Sequence, residues 1–181
     1  MLLGRTFGTY AGRRGARAIA VGYDGRISSP GLAAALRDGL RQSGQDVFDI
    51  GRGPTPMLYF ATFHLPVDGG IMVTGSHNPP DYNGFKMSLR KEPFFGEAIQ
   101  SLAALAKDGD LDDGEGQETE RSVFSAYIDR LMRDFEPGRP LKVAWDAGNG
   151  AAGEALSALA ARLPGEHILL YEEIDLSLIH I

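Results

Sequence analysis

Strand signals and helix signals alternate along the first 107 residues, and this alternation restricts the possible fold more than any other feature. Short runs rich in branched apolar side chains lie at residues 18–21, 47–50, 70–73 and 85–89. The segments between the first three runs have the apolar period of amphipathic helices, whereas only a turn separates the last two. The order β-α-β-α-β-turn-β-α predicts an α/β domain of three layers, α/β/α, with a mixed, mostly parallel sheet.

Each predicted helix has its own start or stop signal. Ser29 caps the first helix with Pro30 in its first turn, and Gly44 ends this helix. Thr55-Pro56 caps the second helix, and Gly109 ends the third, which covers residues 97–107. The residues that we expect on the buried faces are Leu32, Leu36 and Leu40 in the first helix, Met57, Phe60 and His64 in the second, and Ile99, Leu102 and Ala106 in the third.

The chain after the third helix divides into an acidic segment, a fourth helix and a second α/β unit. Residues 108–120 are acidic and nearly without large apolar side chains, so we expect a solvated loop. Two prolines and a glycine at residues 137–140 end the next helix, whose predicted apolar face is Phe124, Tyr127, Ile128, Leu131 and Phe135. We therefore predict a first domain at residues 1–136, a linker at 137–140 and the opening of a second α/β domain at 141–175.

Ser76 lies in a turn between the two predicted strands 70–73 and 85–89. Pro79 and Pro80 supply no amide donors and disfavour a helical conformation at Asn78, so the turn should be a stiff loop. Thr74 and Asn78 stand where a G-x-S-x-G nucleophile elbow needs glycine, which argues against a serine hydrolase. The pattern favours a site that presents one serine hydroxyl, although a serine and a histidine in a turn are by themselves more often ordinary turn residues.

Residues 73–87, VTGSHNPPDYNGFKM, resemble the phosphoserine loop of the α-D-phosphohexomutases, and most closely that of the bacterial phosphomannomutase/phosphoglucomutase branch. The phosphoglucosamine mutase branch typically has SASHNP followed by DNGIK, whereas this chain has TGSHNP and YNGFK. The resemblance continues at residues 22–29 (GYDGRISS), 54–56 (PTP) and 146–150 (DAGNG), and it covers most of residues 18–175.

The resemblance implies an enzyme that interconverts hexose 1-phosphate and hexose 6-phosphate, with mannose, glucose or both as the sugar. Ser76 would carry a phosphoryl group covalently, and hexose 1,6-bisphosphate would be the intermediate and activator. Chemistry of this kind depends on positioning and charge neutralisation, so the expected cofactor is Mg²⁺, bound through the phosphate on Ser76. The family's other metal ligands belong to a DGDxDR loop that this sequence does not contain.

The resemblance also assigns residues around Ser76. His77 and Lys86 match positions beside the phosphoserine, where either side chain could neutralise phosphate charge or move the hydroxyl proton, and their individual roles stay open. Arg26 matches an active-site arginine whose planar fork suits phosphate oxygens. The residues that match loop-positioning sites are Asn78, Asn83 and Gly84, the two asparagines through bonds from side chain to backbone.

A second motif supports a competing interpretation. Residues 148–153, GNGAAG, form a G-x-G-x-x-G between a predicted strand at 141–145 and a predicted helix at 154–163. Glu172 and Glu173 stand near the distance at which a dinucleotide site has its ribose-binding acid. Asp146 precedes the glycines, and its carboxylate would crowd a pyrophosphate. We expect a structural turn here, and the alternative of a non-enzymatic phosphosugar- or dinucleotide-binding module stays open.

Charge and cysteine content restrict the partners. A net charge of −6 argues against a nucleic acid or an anionic membrane, since either would require a basic surface. No apolar run is long enough for a membrane helix. The absence of cysteine excludes disulfides and thiolate metal sites and fits a cytoplasmic protein. We expect a hexose phosphate as the partner, while the sequence does not specify an oligomeric state.

The sequence also departs from the family pattern. The aromatic-Asp-Ile-Arg-Gly segment that usually begins the family is missing, so we expect the first domain to lack a strand. The sugar-contacting GExS loop and the distal phosphate loop do not occur, and residues 176–181 (LSLIHI) resemble a tail foreign to the family. We therefore expect these 181 residues alone to turn over no hexose phosphate, and the second unit to expose apolar surface.

Overall fold

The computed structural model describes residues 1–76, 78–79 and 81–175, so the predicted tail at 176–181 lies outside the described residues. Its helices are α1 (Leu2–Gly12), α2 (Ser29–Gln42), α3 (Thr55–His64), α4 (Glu97–Asp108), α5 (Phe124–Met132) and α6 (Gly153–Ala160). Its strands are β1 (Ala18–Tyr23), β2 (Asp46–Arg52), β3 (Gly69–Val73), β4 (Phe85–Leu89), β5 (Glu92–Phe94), β6 (Glu118–Glu120), β7 (Leu141–Asp146) and β8 (Gly165–Leu170). None of the helices in this described part is long and apolar enough to cross a membrane.

Strands β1 to β6 form one sheet, which has the order β5-β4-β3-β1-β2-β6 within the described residues. Strands β3, β1, β2 and β6 are parallel to one another, whereas the β3–β4 and β4–β5 pairs are antiparallel. In the centre of the sheet, Ile19 of β1 is in register with Val47 of β2 and with Gly69 of β3. The predicted mixed, mostly parallel sheet is confirmed.

Side chains of the central strands alternate between two hydrophobic cores. On one face, Ile19 and Val21 of β1 pack in a cluster whose helical members include Phe7, Leu36, Leu40 and Leu102. On the other face, Ala20 packs in a cluster whose members from α3 and its neighbours include Met57, Leu58, Ala61 and Val123. Both faces of the sheet are therefore covered, which is why β1 and β3 are continuous apolar runs. The three-layer α/β/α architecture follows from this arrangement.

Helix α1 is absent from the sequence-based predictions, because Gly4, Gly8 and Gly12 are poor helix formers. The three glycines are four residues apart. Gly4 lets α1 approach α2 at backbone distance, while Gly8 and Gly12 make room for the side chains of Ser43 and Gln45 just after α2. A Cβ on Gly4 would lie 2.3 Å from the carbonyl oxygen of Leu36, and a Cβ on Gly39 would lie 2.1 Å from that of Met1. Packing against α2 thus stabilises a helix that intrinsic propensity disfavours. The family resemblance led us to expect that the first domain lacks a strand at its beginning, and the residues before β1 form a helix and no strand.

The predicted buried faces need correction at their ends. Leu32 is 36% exposed, and Ala33 takes its place in the core because Ala33, Leu36 and Leu40 fit the helical period better. Ile99 is 41% exposed, and Ala98 packs on the core beside Leu102 instead. The other predicted core residues that are exposed are His64, Leu131 and Phe135.

The acidic segment 108–120 is mostly exposed, as expected for a solvated loop, but its carboxylates are also bound to arginines of α1 and its end. Arg13 donates hydrogen bonds to Asp110 at 2.9 Å and to Asp112 at 2.7 Å, and Arg5 donates to Asp113 at 2.5 Å. The hydrogen bond and charge of Arg13 hold the pKa of Asp110 below its ordinary value. The segment ends in β6, which pairs in parallel with β2 and extends the sheet.

Strands β7 and β8 form a separate parallel pair, connected by α6. Trp145 of β7 donates a hydrogen bond from Nε1 to Nδ1 of His167 of β8 at 3.0 Å. Ion pairs between Arg52 and Glu154 and between Arg162 and Asp129 join this unit to the first one. The expected apolar exposure is present, since Leu141, Ile168 and Leu170 are each more than two-fifths exposed.

Candidate active site

Three adjacent strand ends bring the predicted site residues to one edge of the sheet. β1 is followed by Asp24 and Arg26, β2 by residues 53–55, and β3 by the loop that contains Ser76. These three connections lie side by side because β1 is the strand between β2 and β3. The carboxyl ends of parallel strands are where open α/β sheets bind their ligands. The sheet topology therefore marks this edge as the candidate site.

Ser76 is exposed and has a left-handed backbone conformation, with φ of 51°. Its amide donates a hydrogen bond to Oγ1 of Thr74 at 3.1 Å, and Thr74 itself is buried. A residue with a side chain adopts such a φ only where surrounding contacts favour it. The contacts of the loop thus determine the backbone conformation of Ser76.

The loop is closed by a series of backbone hydrogen bonds. The amide of Asn78 donates to the carbonyl oxygen of Gly75 at 2.9 Å, and the amide of Tyr82 donates to that of Pro79 at 3.0 Å. At the base of the loop, the amide of Thr74 donates to the carbonyl oxygen of Gly84 at 2.9 Å. Gly84 therefore lies where the loop joins β4.

Asn83 connects the loop to the beginning of α2. Its Oδ1 accepts a hydrogen bond from the amide of Gly84 at 3.0 Å, and its Nδ2 donates to the hydroxyls of Ser29 at 2.8 Å and Ser28 at 3.1 Å. The prediction that Ser29 caps α2 is wrong, because Ser28 is the N-cap and Ser29 is the first helical residue. The hydroxyl of Ser29 donates to Asp24 at 2.5 Å instead. The prediction that Thr55 caps α3 is wrong in the same way, since Pro54 is the N-cap.

Arg26 holds the loop from inside, which corrects its predicted role as a phosphate ligand. The residue is only 2% exposed. Its two terminal nitrogens donate to four backbone carbonyl oxygens of the loop, those of Ser76, Asn78, Pro79 and Tyr82. Because those donors are used within the protein, they are not directed at a phosphate group of a ligand.

Lys86 and His77 are the other two predicted catalytic residues. Lys86 is exposed and lies in β4, close to the base of the loop, in register with Met72 of β3. His77 lies outside the described residues. The division of roles between these two side chains stays a prediction.

Ser76 lines a cleft of about 510 Å³ between the two units. The first unit contributes Asp24, Thr74 and residues 53–56 at the start of α3, and the second unit contributes residues 150–152 just before α6. The N-terminal ends of helices carry partial positive charge and favour anions nearby. Asp24, Thr55 and Thr74 were not predicted as site residues, although the position of each just after a strand is a signal that would have found them.

The residues lining this cleft do not by themselves fit a metal site. Nowhere in the described part of the chain do three or more His, Asp or Glu side chains come together in a group that could hold a metal ion. Asp24, the acid in the cleft lining, accepts hydrogen bonds from Ser29, from the amide of Arg26 and from the amide of Gly75. Its carboxylate is therefore engaged within the protein.

Backbone conformation accounts for the first glycine of the G-x-G-x-x-G turn, and close packing accounts for the last. The amide of Gly148, whose φ is 53°, donates to the carboxylate of Asp146 at 2.8 Å. A Cβ on Gly153 would lie 1.9 Å from the carbonyl oxygen of Glu172. Asn149 donates from its side chain to the carbonyl oxygen of Glu173 at 2.9 Å. These contacts are those of a structural turn that joins the β7 end to the segment after β8.

Comparisons with known proteins agree with this architecture. Residues 1–111 match the family model for phosphoglucomutase/phosphomannomutase, alpha/beta/alpha domain I. That match is shorter than the predicted first domain, whose boundaries stay a prediction.

Two curated relatives and one solved structure are similar over nearly the whole chain. A phosphoglucomutase of Neisseria gonorrhoeae is 43% identical over 175 residues, which are 96% of this chain and 38% of that protein. A phosphomannomutase/phosphoglucomutase of Pseudomonas aeruginosa is 40% identical over 96% of this chain and 37% of its own length. The crystal structure of a phosphoglucomutase/phosphomannomutase family protein from Burkholderia thailandensis matches with a TM-score of 0.93 and 42% identity, over 99% of this chain and 41% of that one.

The chain thus spans about two-fifths of the length of these relatives. From the match of residues 1–111 to the domain I model, together with the sheet and strand-end loops described above, we conclude that the chain belongs to the phosphoglucomutase/phosphomannomutase family.

Proposed function

We propose that this chain supplies the phosphoryl-carrying serine of an enzyme that interconverts hexose 1-phosphate and hexose 6-phosphate. The observation that carries the proposal is Ser76, an exposed hydroxyl residue with φ of 51° at the sheet edge, lining a cleft of about 510 Å³. Family membership supports it, and the names of the relatives point to glucose, mannose or both as the sugar.

The chemistry that we propose for Ser76 is reversible phosphoryl transfer. Oγ of Ser76 attacks a phosphorus atom of hexose 1,6-bisphosphate, so that the Oγ–P bond forms and the bond from phosphorus to the O1 or O6 oxygen of the sugar breaks. The hydroxyl proton of Ser76 passes to a base, and the released sugar oxygen takes up a proton to become a hydroxyl. The phosphoryl group on Ser76 is then transferred to the free hydroxyl of a hexose monophosphate, which gives hexose 1,6-bisphosphate and restores the serine hydroxyl. Transfer of the other phosphoryl group of that bisphosphate back to Ser76 releases the isomeric monophosphate.

Local positive charge has to stabilise this transfer, because the chain as a whole has a net charge of −6. The helix starts at residues 53–56 and 150–152 line the cleft and favour an anion there. Lys86, exposed near the base of the loop, and His77 are the candidates for charge neutralisation and proton transfer. Either assignment of these two roles is compatible with the mechanism.

We include Mg²⁺ in the proposed function as the cation that neutralises the phosphate on Ser76. The residues of this chain that the structure describes supply no ligand set for it, so no step above depends on the metal. The absence of cysteine supports a cytoplasmic location, which is part of the same proposal.

The experiment that tests the function is phosphoryl transfer to this chain. We expect incubation with glucose 1,6-bisphosphate or mannose 1,6-bisphosphate and Mg²⁺ to add one phosphoryl group, detected by intact-mass spectrometry and located by fragmentation. The Ser76→Ala variant should take up no phosphoryl group, because it lacks the accepting oxygen. Comparing the rates with the two bisphosphates measures the sugar preference.

The matched control is Ser101→Ala, which removes an exposed serine hydroxyl from α4, and this variant should be phosphorylated like the wild type. Phosphorylation that persists in Ser76→Ala would contradict the proposal, as would a wild-type chain that stays unmodified. A parallel titration with NAD tests the dinucleotide alternative, for which we expect no binding.

A further inference from the structure

The chain buries one guanidinium group beneath the serine loop. The side chain of Arg26 is 1% exposed and makes hydrogen bonds along the whole loop. Nη1 donates to the carbonyl oxygens of Pro79 at 2.7 Å and Tyr82 at 3.1 Å, and Nη2 donates to those of Ser76 at 3.0 Å and Asn78 at 2.8 Å. One rigid, planar group thus fixes the positions of four peptide units, beginning with that of Ser76.

Asp24 compensates the charge of Arg26 and binds the other side of Ser76. Oδ2 of Asp24 lies 3.4 Å from Nε of Arg26 and accepts a hydrogen bond from the amide of Gly75 at 3.2 Å. Oδ1 accepts from the amide of Arg26 at 3.1 Å and from the hydroxyl of Ser29 at 2.5 Å. Removing two charges from water is costly, so a buried pair of this kind is weak support for stability. Its hydrogen bonds point instead to control of the loop conformation.

The residue before the serine is adapted to the buried guanidinium. A Cβ on Gly75 would lie 2.3 Å from Cζ of Arg26 and 2.5 Å from the carbonyl oxygen of Tyr82. Glycine is therefore required at this position by close packing, since its own φ is not left-handed. Ser76, which does have a left-handed φ of 51°, follows immediately. The unusual conformation of the serine and the closest approach of the guanidinium thus occur in consecutive residues.

We propose that Asp24 and Arg26 are positioning residues that hold Ser76 in the conformation from which it exchanges phosphoryl groups. This inference rests on the proposed function for its catalytic consequence. Arg26 acts through the backbone of the loop, because its terminal nitrogens bind loop carbonyl oxygens. Lysine cannot replace it, since an ammonium group is a point charge without the planar set of donors.

The test is single-turnover phosphorylation of the full chain with glucose 1,6-bisphosphate in the Arg26→Lys and Asp24→Asn variants. We expect the maximal rate constant to fall about a hundredfold, a typical cost of misplacing a reacting group by an ångström. The bisphosphate concentration that gives half the maximal rate should change little, because neither side chain is proposed to contact the sugar phosphate. A purely structural role would lower the folded fraction and leave the rate constant of the folded molecules unchanged.

The matched control is Arg37→Lys on α2. Arg37 is also mostly buried, and it pairs with Asp49 at 3.0 Å and Glu118 at 2.8 Å, outside the serine loop. This variant should be phosphorylated at the wild-type rate. Ser29→Ala is the milder second variant, should the charge variants fail to fold, and loss of its hydrogen bond to Asp24 should slow phosphorylation about fivefold.

Hydrogen–deuterium exchange provides a readout that does not need phosphorylation. The amides of Asn78 and Tyr82, both bonded within the loop, should exchange faster in Arg26→Lys or Ser29→Ala, while amides of β1 keep their protection. Folded variants with wild-type rate constants and unchanged loop exchange would overturn the inference. If the wild-type chain itself takes up no phosphoryl group, the proposed function fails, and loop exchange alone decides whether Asp24 and Arg26 control this conformation.

Discussion

The two sheets of this protein differ in how completely they are covered, and their loops differ accordingly. Strands β1 and β3 of the larger sheet are almost entirely buried between two layers of helices. Strands β7 and β8 keep alternate residues exposed along their length. Both sheets have a glycine-containing loop after a strand. Among the described residues, the most buried ion pair, Asp24–Arg26, lies beneath the loop of the covered sheet.

The difference teaches that a fully covered sheet can hold a loop in an unusual conformation, because the residues beneath the loop cannot move away. In the serine loop the unusual φ belongs to Ser76, a residue with a reactive group. In the loop after β7 the left-handed residues are Gly148 and Asn149, whose contacts join that loop to the segment after β8. Of the two loops, the one with the G-x-G-x-x-G motif is therefore a structural turn, and the serine loop is the one that presents a reactive group.

The largest expected difference between the sheets is in stability. Leu36→Ala removes a side chain that is 1% exposed from the core of the larger sheet and should lower the free energy of unfolding by about 2–5 kcal/mol. Leu170→Ala removes one that is 42% exposed from β8 and should lower it by less than about 0.5 kcal/mol. Urea unfolding followed by circular dichroism measures the first effect, and fluorescence of Trp145, the chain's one tryptophan, follows the second unit. Equal losses for both leucines would break the comparison.

Crowded glycines in the two units should have different consequences. Gly75→Ala places a Cβ 2.3 Å from Arg26 and should slow phosphorylation of Ser76 about a hundredfold by displacing the guanidinium. Gly165→Ala places a Cβ 2.2 Å from the carbonyl oxygen of Leu141, where φ is 120°, and should destabilise the β7–β8 pair. Its effect should appear in Trp145 fluorescence and leave the rate of phosphorylation unchanged. If phosphorylation were equally slow in both variants, the serine loop would not depend specifically on the close packing of Gly75 against Arg26.

The smallest effect concerns the acidic segment that covers α1. The pKa of Asp110 is lowered in the folded protein, so its contact with Arg13 stabilises the fold above the unfolded pKa of about 3.9. This contribution should disappear as the pH falls through the lower folded-state pKa. Asp110→Asn should therefore unfold at slightly lower urea than the wild type at neutral pH and low salt, and the difference should shrink with acid or high salt. Glu136→Gln, an exposed acid outside the segment, is the control, and a difference that grows on acidification would contradict the assignment.

The strand–helix pattern predicted most of the larger sheet because buried parallel strands and amphipathic helices have strong local signals. β1, β2, β3, β4 and the helices between them follow from apolar period, glycine and proline alone. Helix α1 and strand β6 do not, since α1 depends on glycine contacts with α2 and β6 depends on pairing with β2. Elements whose stability comes from a distant partner leave little trace in their own sequence.

For the candidate site, the sequence located the serine loop but misjudged the direction of Arg26. Whether an arginine faces a ligand or the protein interior depends on which carbonyl oxygens come within its reach, and the loop that provides them is 50 residues further along the chain. Asp24 was likewise without an assigned role, because Gly75, whose amide it binds, is 51 residues further along the chain and comes close only when β1 and β3 pair.

The sequence by itself determined the order of strands and helices, the position of Ser76 in a proline-stiffened turn and the family to which that turn is similar. These properties depend on neighbouring residues along the chain. Only the tertiary structure decided that a buried arginine and aspartate hold the loop, that the acidic segment binds α1, and that the glycine motif before α6 is a packed turn. Each of those outcomes depends on contacts between residues far apart in sequence, and local pattern carries no information about such distances.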